Sequence, residues 1–223
     1  MPIKKKVNKE FFKRWTPEMA YVLGFFCADG SLTVNPRGGN YMDFHIIDKE
    51  LLQEIRKSMS STHKLVERKR HINETWSRIY RLQIGSKEMC NDLRSLGVHE
   101  QKTHTMTVPN VPAKYFGEFV RGYFDGDGNV WTGAVHKKRK TQLHVIHTVF
   151  TSCSGKFLRE LQKRLCILGL GQGSFVVKDN TRKLQYSIND SIMLYRIMYK
   201  NLRTKLFLPR KKIVFENYIK MRS

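Results

Sequence analysis

The chain repeats itself, and that repetition limits its fold more than any other feature. The segment YVLGFFCADGSL from Tyr21 aligns with FVRGYFDGDGNV from Phe119 at an offset of 98, matching Gly24 with Gly122, Ala28 with Gly126, Asp29 with Asp127 and Gly30 with Gly128. Further along, FHIIDKELLQEI from Phe44 resembles FTSCSGKFLREL from Phe150 at an offset of 106, and YRLQIGSKEMCNDL from Tyr80 resembles LQYSINDSIMLYRI from Leu184 at 104. Three collinear blocks imply a tandem duplication, so any fold must be built twice from one unit. The 223 residues suffice for two domains of about 100 residues, each with its own core. We place them at 1–110 and 111–223, with Pro109 and Pro112 marking the junction.

Each copy has the same grammar. Thr16 and Pro17 form a helix start, N-cap followed by proline at the first helical position, and the helix runs to about Ala28, where Asp29 and Gly30 end it. A hairpin follows, with SLTV and YMDFHI flanking the turn-rich run NPRGGN at 35–40. Leu51, Leu52 and Ile55 fall at helical spacing within 49–58; a second hairpin is centred on Leu65 and on 78–84, and 86–96 closes the unit as a helix. The fold class is α+β, a tandem duplication of αββαββα units.

Composition adds a partner. There are 41 Lys and Arg against 19 Asp and Glu, a net charge of +22, in a chain that is 40% hydrophobic. So apolar a chain folds, and so large an imbalance on a folded surface points to a polyanion. The cations gather in hairpins: Arg37, Arg68, Arg70, Arg81, Lys138, Arg139, Lys178 and Arg182. Arg81 and Gln83 alternate with Leu82 and Ile84, and Gln185 and Ser187 with Tyr186 and Ile188, so each sheet has one packed face and one polar face suited to phosphates and base edges. An ordinary solvated surface is the plainer reading of such runs.

Gly24 and Ala28, and again Gly122 and Gly126, sit four apart on one helix face. Small residues at that spacing let two helix backbones approach, so we expect the motif helices to pair at the domain interface. Asp29 and Asp127 are then brought side by side near a pseudo-twofold axis. Two carboxylates so placed repel unless a cation lies between them, and a hard divalent ion, Mg²⁺, suits an oxygen-only site that keeps waters. Asp-Gly alone is a common helix stop; the duplication is what lends it weight. The run DGDGN at 125–129 departs from a calcium loop, with Val130 at the sixth position and His136 at the twelfth.

The strings VLGFFCADG and VRGYFDGDG resemble the signature of LAGLIDADG homing endonucleases, and the doubled αββαββα order is similar to the single-chain, two-domain form of that family, over about 16–221. The resemblance implies two four-stranded antiparallel sheets forming a saddle in the major groove of double-stranded DNA. It also implies metal-dependent double-strand cleavage in the service of intron homing, by a monomer. Asp29 and Asp127 become catalytic metal ligands, assisted by the carbonyls of Ala28 and Gly126, and Ca²⁺ is expected to bind without supporting efficient cleavage. Cys27 replaces the earlier motif acid that Asp125 retains. The family's basic active-site residue corresponds by position to Lys102 and Lys211, for which a phosphate clamp or a plain surface lysine is the alternative; Arg210 and Lys212 adjoin the second. Polar residues that order water fall near Asp48 and Ser154. Relatives of the same fold serve as RNA-splicing maturases, which bind their own intron RNA, or as transcription regulators, so a non-cleaving binder is the second reading.

No run approaches the ~18 apolar residues of a membrane span, and no long basic amphipathic helix suggests a membrane-surface protein. The basic amino terminus lacks a stretch of signal-peptide type, and Cys27, Cys90, Cys153 and Cys166 have neither disulfide nor zinc spacing. We therefore expect an intracellular protein with cysteines serving as small hydrophobes.

Overall fold

The computed structural model describes residues 5–72, 75–135, 143–178 and 180–222, with the side chains of 70–72 and 75–77 outside that description. Helix α1 (Pro17–Asp29) starts where Thr16 Oγ1 accepts the Met19 N–H at 3.1 Å and Pro17 needs no donor partner. From Met19 to Cys27 it is buried on every side, which makes it a central rather than a surface helix. Its counterpart α4 (Phe116–Asp127) is buried along the same stretch and is entered through a 3-10 turn at Ala113–Tyr115 instead of a side-chain cap.

Strands β1 (Gly30–Val34), β2 (Asn40–Ile46), β3 (Leu65–Ile72) and β4 (Thr75–Gly85) form one antiparallel sheet in the order β1-β2-β4-β3. Strands β5 (Gly128–Val135), β6 (Leu143–Ser152), β7 (Ser174–Lys178) and β8 (Thr181–Tyr186) form a second, ordered β5-β6-β8-β7. Even the register recurs, since Gly30 faces Phe44 and Gly128 faces Phe150. Behind the sheets lie α2 (Lys49–Ser58) and α3 (Lys87–Ser95), and in the second half α5 (Gly155–Ile167) and α6 (Ile188–Tyr199). Each sheet packs on its motif helix through the same aromatic pair: Phe26 meets Phe44 edge-on at 5.1 Å, and Phe124 meets Phe150 edge-on at 5.8 Å. The alternation read from the sequence is the burial seen, with Met42, Phe44, Ile46, Leu82 and Ile84 facing inward.

The structure differs from the sequence reading in two places, the end of the second unit and the end of its last strand. The second unit carries an extra helix beyond the αββαββα order, α7 (Pro209–Arg222), which buries Phe215 and Tyr218 and holds Lys211 in its first turn. Strand β8 stops at Tyr186, because Ser187 takes the N-cap position of α6, so Ser187 is not a sheet-face residue. The connection around the 110/111 junction is bound to the second half: Glu160 accepts the Val108 N–H at 2.8 Å, and Arg164 donates to the carbonyls of Pro109 and Val111.

Candidate active site and nucleic-acid interface

The two glycines of the motif helices are what allow their close approach. A Cβ at Gly24 would stand 2.1 Å from the Phe119 carbonyl oxygen, and one at Gly122 2.0 Å from that of Tyr21. The crossing is therefore backbone on backbone. Lower down, a Cβ at Gly126 would meet the Ala28 Cβ at 2.4 Å and an Asp29 carboxylate oxygen at 3.2 Å. The sequence expectation for Gly24, Ala28, Gly122 and Gly126 thus corresponds to a contact at each of the four positions.

At the end of this crossing Asp29 and Asp127 share one environment. Burial and then the neighbouring Asp127 charge raise the Asp29 carboxyl to about 6, against the opposing pull of Lys211 and Lys102. Burial likewise raises that of Asp127, with the same two lysines acting against it. Each lysine is tied to the carboxyl end of its own motif helix. Lys102 Nζ donates to the Cys27 carbonyl at 2.7 Å, with the Ala28 carbonyl at 3.5 Å. Lys211 Nζ donates to the carbonyls of Phe124 at 2.6 Å, Asp125 at 2.9 Å and Gly128 at 2.6 Å. Cys27 and Asp125 are equivalent positions of the repeat, so the two lysines occupy matching places. Helix ends carry unsatisfied carbonyls and partial negative charge, which is where an ammonium is most stable. Burial nevertheless lowers the Lys211 ammonium to about 8 and lowers that of Lys102 too. The neighbours of Lys211 are otherwise engaged, Arg210 with Asp48 and Lys212 with Glu216.

Among the described residues no three His, Cys, Asp or Glu side chains converge as a metal site would require. What is present fits a hard cation that brings water and phosphate as its remaining ligands: two mutually repelling, largely buried carboxylates, with space kept open against one of them by the missing side chain of Gly126. Asp125, by contrast, takes no part in that pair. Its carboxylate, 2% exposed and raised by burial to about 6, accepts from the Tyr21 hydroxyl at 2.7 Å and the Leu208 N–H at 2.9 Å.

Residues 16–96 match the family model of the LAGLIDADG-like domain. Over the whole length the fold is that of solved structures with the same name: the LAGLIDADG meganuclease I-AabMI bound to uncleaved DNA has a TM-score of 0.60 at 12% identity, covering 93% of this chain and 90% of that one. The chain thus carries a segment that matches a LAGLIDADG-like domain and has the two-repeat fold of these structures. The homing endonuclease I-WcaI bound to its DNA recognition sequence is similar at 0.58 and 17% identity, covering 93% and 91%. I-SmaMI bound to uncleaved DNA target in the presence of calcium ions is similar at 0.59 and 12%, covering 93% and 90%. No curated protein sequence matches the chain.

On this LAGLIDADG-like fold the outer sheet faces hold part of the expected cation set. Arg68 is exposed in β3, in register with Ile79, and shares a face with Arg81 and Gln83. Arg37 is exposed at the β1–β2 turn and Lys178 at the β7–β8 turn. Gln185 faces outward opposite Val149. Lys138 and Arg139 lie outside the described residues, as does the side chain of Arg70. Arg182 is a correction: it shares parity with the buried Leu184, crosses to the helix side, and donates to the Cys153 carbonyl at 2.8 Å. Gly155 makes room for it, since a Cβ there would meet Arg182 Cδ at 2.8 Å. Ser154 is also placed structurally, fully buried, capping α5 through the Phe157 N–H and donating to the Met106 carbonyl.

Two features of the interface have no signal in the repeat. Asp43, on the outer face yet 1% exposed, accepts from Arg81 Nε at 2.6 Å and from Gln83 at 3.3 Å. Trp131 and His147 stack in parallel on the other sheet, their rings 5.0 Å apart. Only β2–β4 and β5–β6 pairing brings these residues together, at separations no local pattern encodes.

Proposed function

We propose that the chain is a site-specific DNA endonuclease that makes a staggered double-strand break by divalent-metal-dependent hydrolysis, one phosphodiester per strand. The observation that carries this reading is the pair Asp29 and Asp127: half-buried, neighbouring acids whose charges oppose each other, each with a lysine at its helix end, in a chain of net charge +22. A protein that only binds nucleic acid has no use for two carboxylates facing a polyanion. Their cost falls away only with a cation.

Asp29 and Asp127 would hold Mg²⁺ through their carboxylates, and Ala28 and Gly126 through their carbonyls. When bound, the metal supplies Lewis acidity to a phosphate oxygen and to water. The chain's own residues do the rest. The closed motif helices fix the distance between the two acids, and so the stagger between cuts. Lys102 and Lys211 place positive charge beside the acids, offsetting the charge that builds on phosphate as water adds to phosphorus and the P–O3′ bond breaks. The water's protons pass to the 3′ oxygen and to solvent. The outer sheet faces, with Arg37, Arg68, Arg81, Gln83, Lys178 and Gln185, supply phosphate and major-groove contacts to duplex DNA. Because the halves differ, the target need not be palindromic, and one chain suffices for both cuts. Action inside the cell, at an intron-homing site, is part of the same proposal.

The test is cleavage of a randomised duplex library with Mg²⁺, then with Ca²⁺ or chelator, followed by sequencing of the ends. Mg²⁺-dependent cuts at one site, abolished in Asp29→Asn and Asp127→Asn while both variants still bind the site, are the expected result. Loss of specific binding in both variants would remove the metal role; silence of the wild type with tight RNA binding would replace the nuclease with a splicing factor.

A further inference from the structure

The two acids are related by the repeat, but their surroundings are not. Arg210 lies in the first turn of α7 beside Lys211, and successive helical residues point about 100° apart. Lys211 therefore turns inward to the end of α4 while the Arg210 side chain stays half exposed. Its guanidinium reaches from the second half of the molecule to the first. Nε donates to Asp48 Oδ1 at 3.2 Å and Nη2 to Oδ2 at 2.9 Å, a two-point contact between residues 162 apart in sequence.

Both partners line a cavity of about 340 Å³ whose walls include Asp29, Gly126, Asp125 and His45. The guanidinium thus shares a space with one of the paired acids. Asp48 is held there against its local preference. It occupies the N-cap position of α2 but makes no capping bond, forgoing the interaction that an aspartate there ordinarily makes.

Among the described residues nothing equivalent stands on the other side. The position related to Asp48 is Ser154, buried and already bonded to Met106 and Phe157. The residue before Lys102, matching Arg210, is Gln101, in a left-handed turn with φ 56°. The cavity at the end of β6 is lined by His104, Cys153, Gly155, Lys156, Arg159 and Arg182, and Asp127 is not among its walls.

We infer that Arg210 is a further catalytic residue for the Asp29 side only, binding the phosphate that is cut there, and that the two strands are consequently cut at different rates. This rests on the endonuclease reading above. A planar guanidinium that grips a carboxylate by two N–H bonds grips a phosphate with the same fork, so an incoming phosphate oxygen pair replaces Asp48 without rearranging Arg210. Asp48, once released, is already at the N-cap of α2. Arg210 keeps its proton throughout; its part is to hold the phosphate and offset its growing charge.

The experiment uses the full chain and a duplex carrying the site that the wild type selects from the randomised library, each strand labelled differently. Single-turnover rates are read per strand for the wild type, Arg210→Gln and Arg210→Lys, together with melting temperatures. The expected result is a loss of about tenfold or more on one strand in Arg210→Gln, with the other within about twofold, and partial rescue by Arg210→Lys. On supercoiled plasmid the Gln variant then accumulates nicked circles. If Arg210 were only a brace between the halves, both strands would slow alike and the melting temperature would fall in step, which overturns the assignment while leaving the endonuclease intact. Should Arg210→Gln not fold, Arg210→Lys decides by the same per-strand ratio. A wild type that cuts no library member overturns the endonuclease reading and this assignment with it.

Discussion

At the scale of single residues, the paired acids at the ends of the motif helices are held in an unfavourable setting. Asp29 is raised from 3.8 to about 6 because burial and Asp127 both oppose its ionisation. A carboxyl whose folded value lies above its unfolded one binds protons more tightly when folded. Its favourable contribution is therefore complete below about pH 4 and is lost as pH rises through about 6. In chelator, Asp29→Asn escapes that loss, so the variant should melt higher than the wild type, by a margin that widens from pH 4 to pH 7 and corresponds to at most about 3 kcal/mol. Thermal melts across that range check it; a variant that melts lower at pH 7 would mean that the acid is satisfied without metal. On the sheet face Asp43 has the opposite character. Held by Arg81 and Gln83, it is fully paired, and it fixes the direction of two side chains proposed to meet bases.

Among the elements, the crossing of α1 and α4 has no tolerance for added atoms. Gly122→Ala puts a methyl 2.0 Å from the Tyr21 carbonyl oxygen, and backbone cannot step aside as a side chain can. The helices must separate, at a cost of about 3 kcal/mol, and a lower urea midpoint with loss of cleavage is the expected outcome. An alanine variant of unchanged midpoint would show that the crossing is looser than this geometry. Both motif helices, the order of the strands along the chain and the inward faces were legible in the sequence because they rest on local spacing and on repetition. Lys102 and Lys211 were reached through a family likeness; what holds them, carbonyls 74 to 87 residues away, is visible only in three dimensions. The Arg182 side chain was misread because a strand's alternation cannot say which charged residue bends back to a helix end. Helix α7 was missed since its charges run around all sides, leaving no apolar stripe to recognise.

For the whole molecule, the charge of +22 is distributed along the chain, through helices, connections and the basic amino-terminal run as well as the two sheets and their turns. If those faces neutralise ~6–10 phosphates, binding to duplex DNA should weaken with salt at a log–log slope of about −5 to −9. Titrations of a labelled duplex between low and moderate salt measure this directly, and a nearly flat response would leave the sheets without their proposed partner. One buried bond adds something about inheritance. Tyr21 donates to Asp125, whereas the positions that the repeat sets in their places are Phe119 and Cys27, which have neither hydroxyl nor carboxylate. Two copies of the first half would meet with two hydroxyls lacking an acceptor, and two copies of the second with two buried acids left to the Leu208 N–H alone. The symmetry of the repeat is thus broken at its centre: hydroxyl and carboxylate are matched in the mixed pair and in neither like pair, which favours one half beside the other and leaves each free to drift toward its own stretch of sequence.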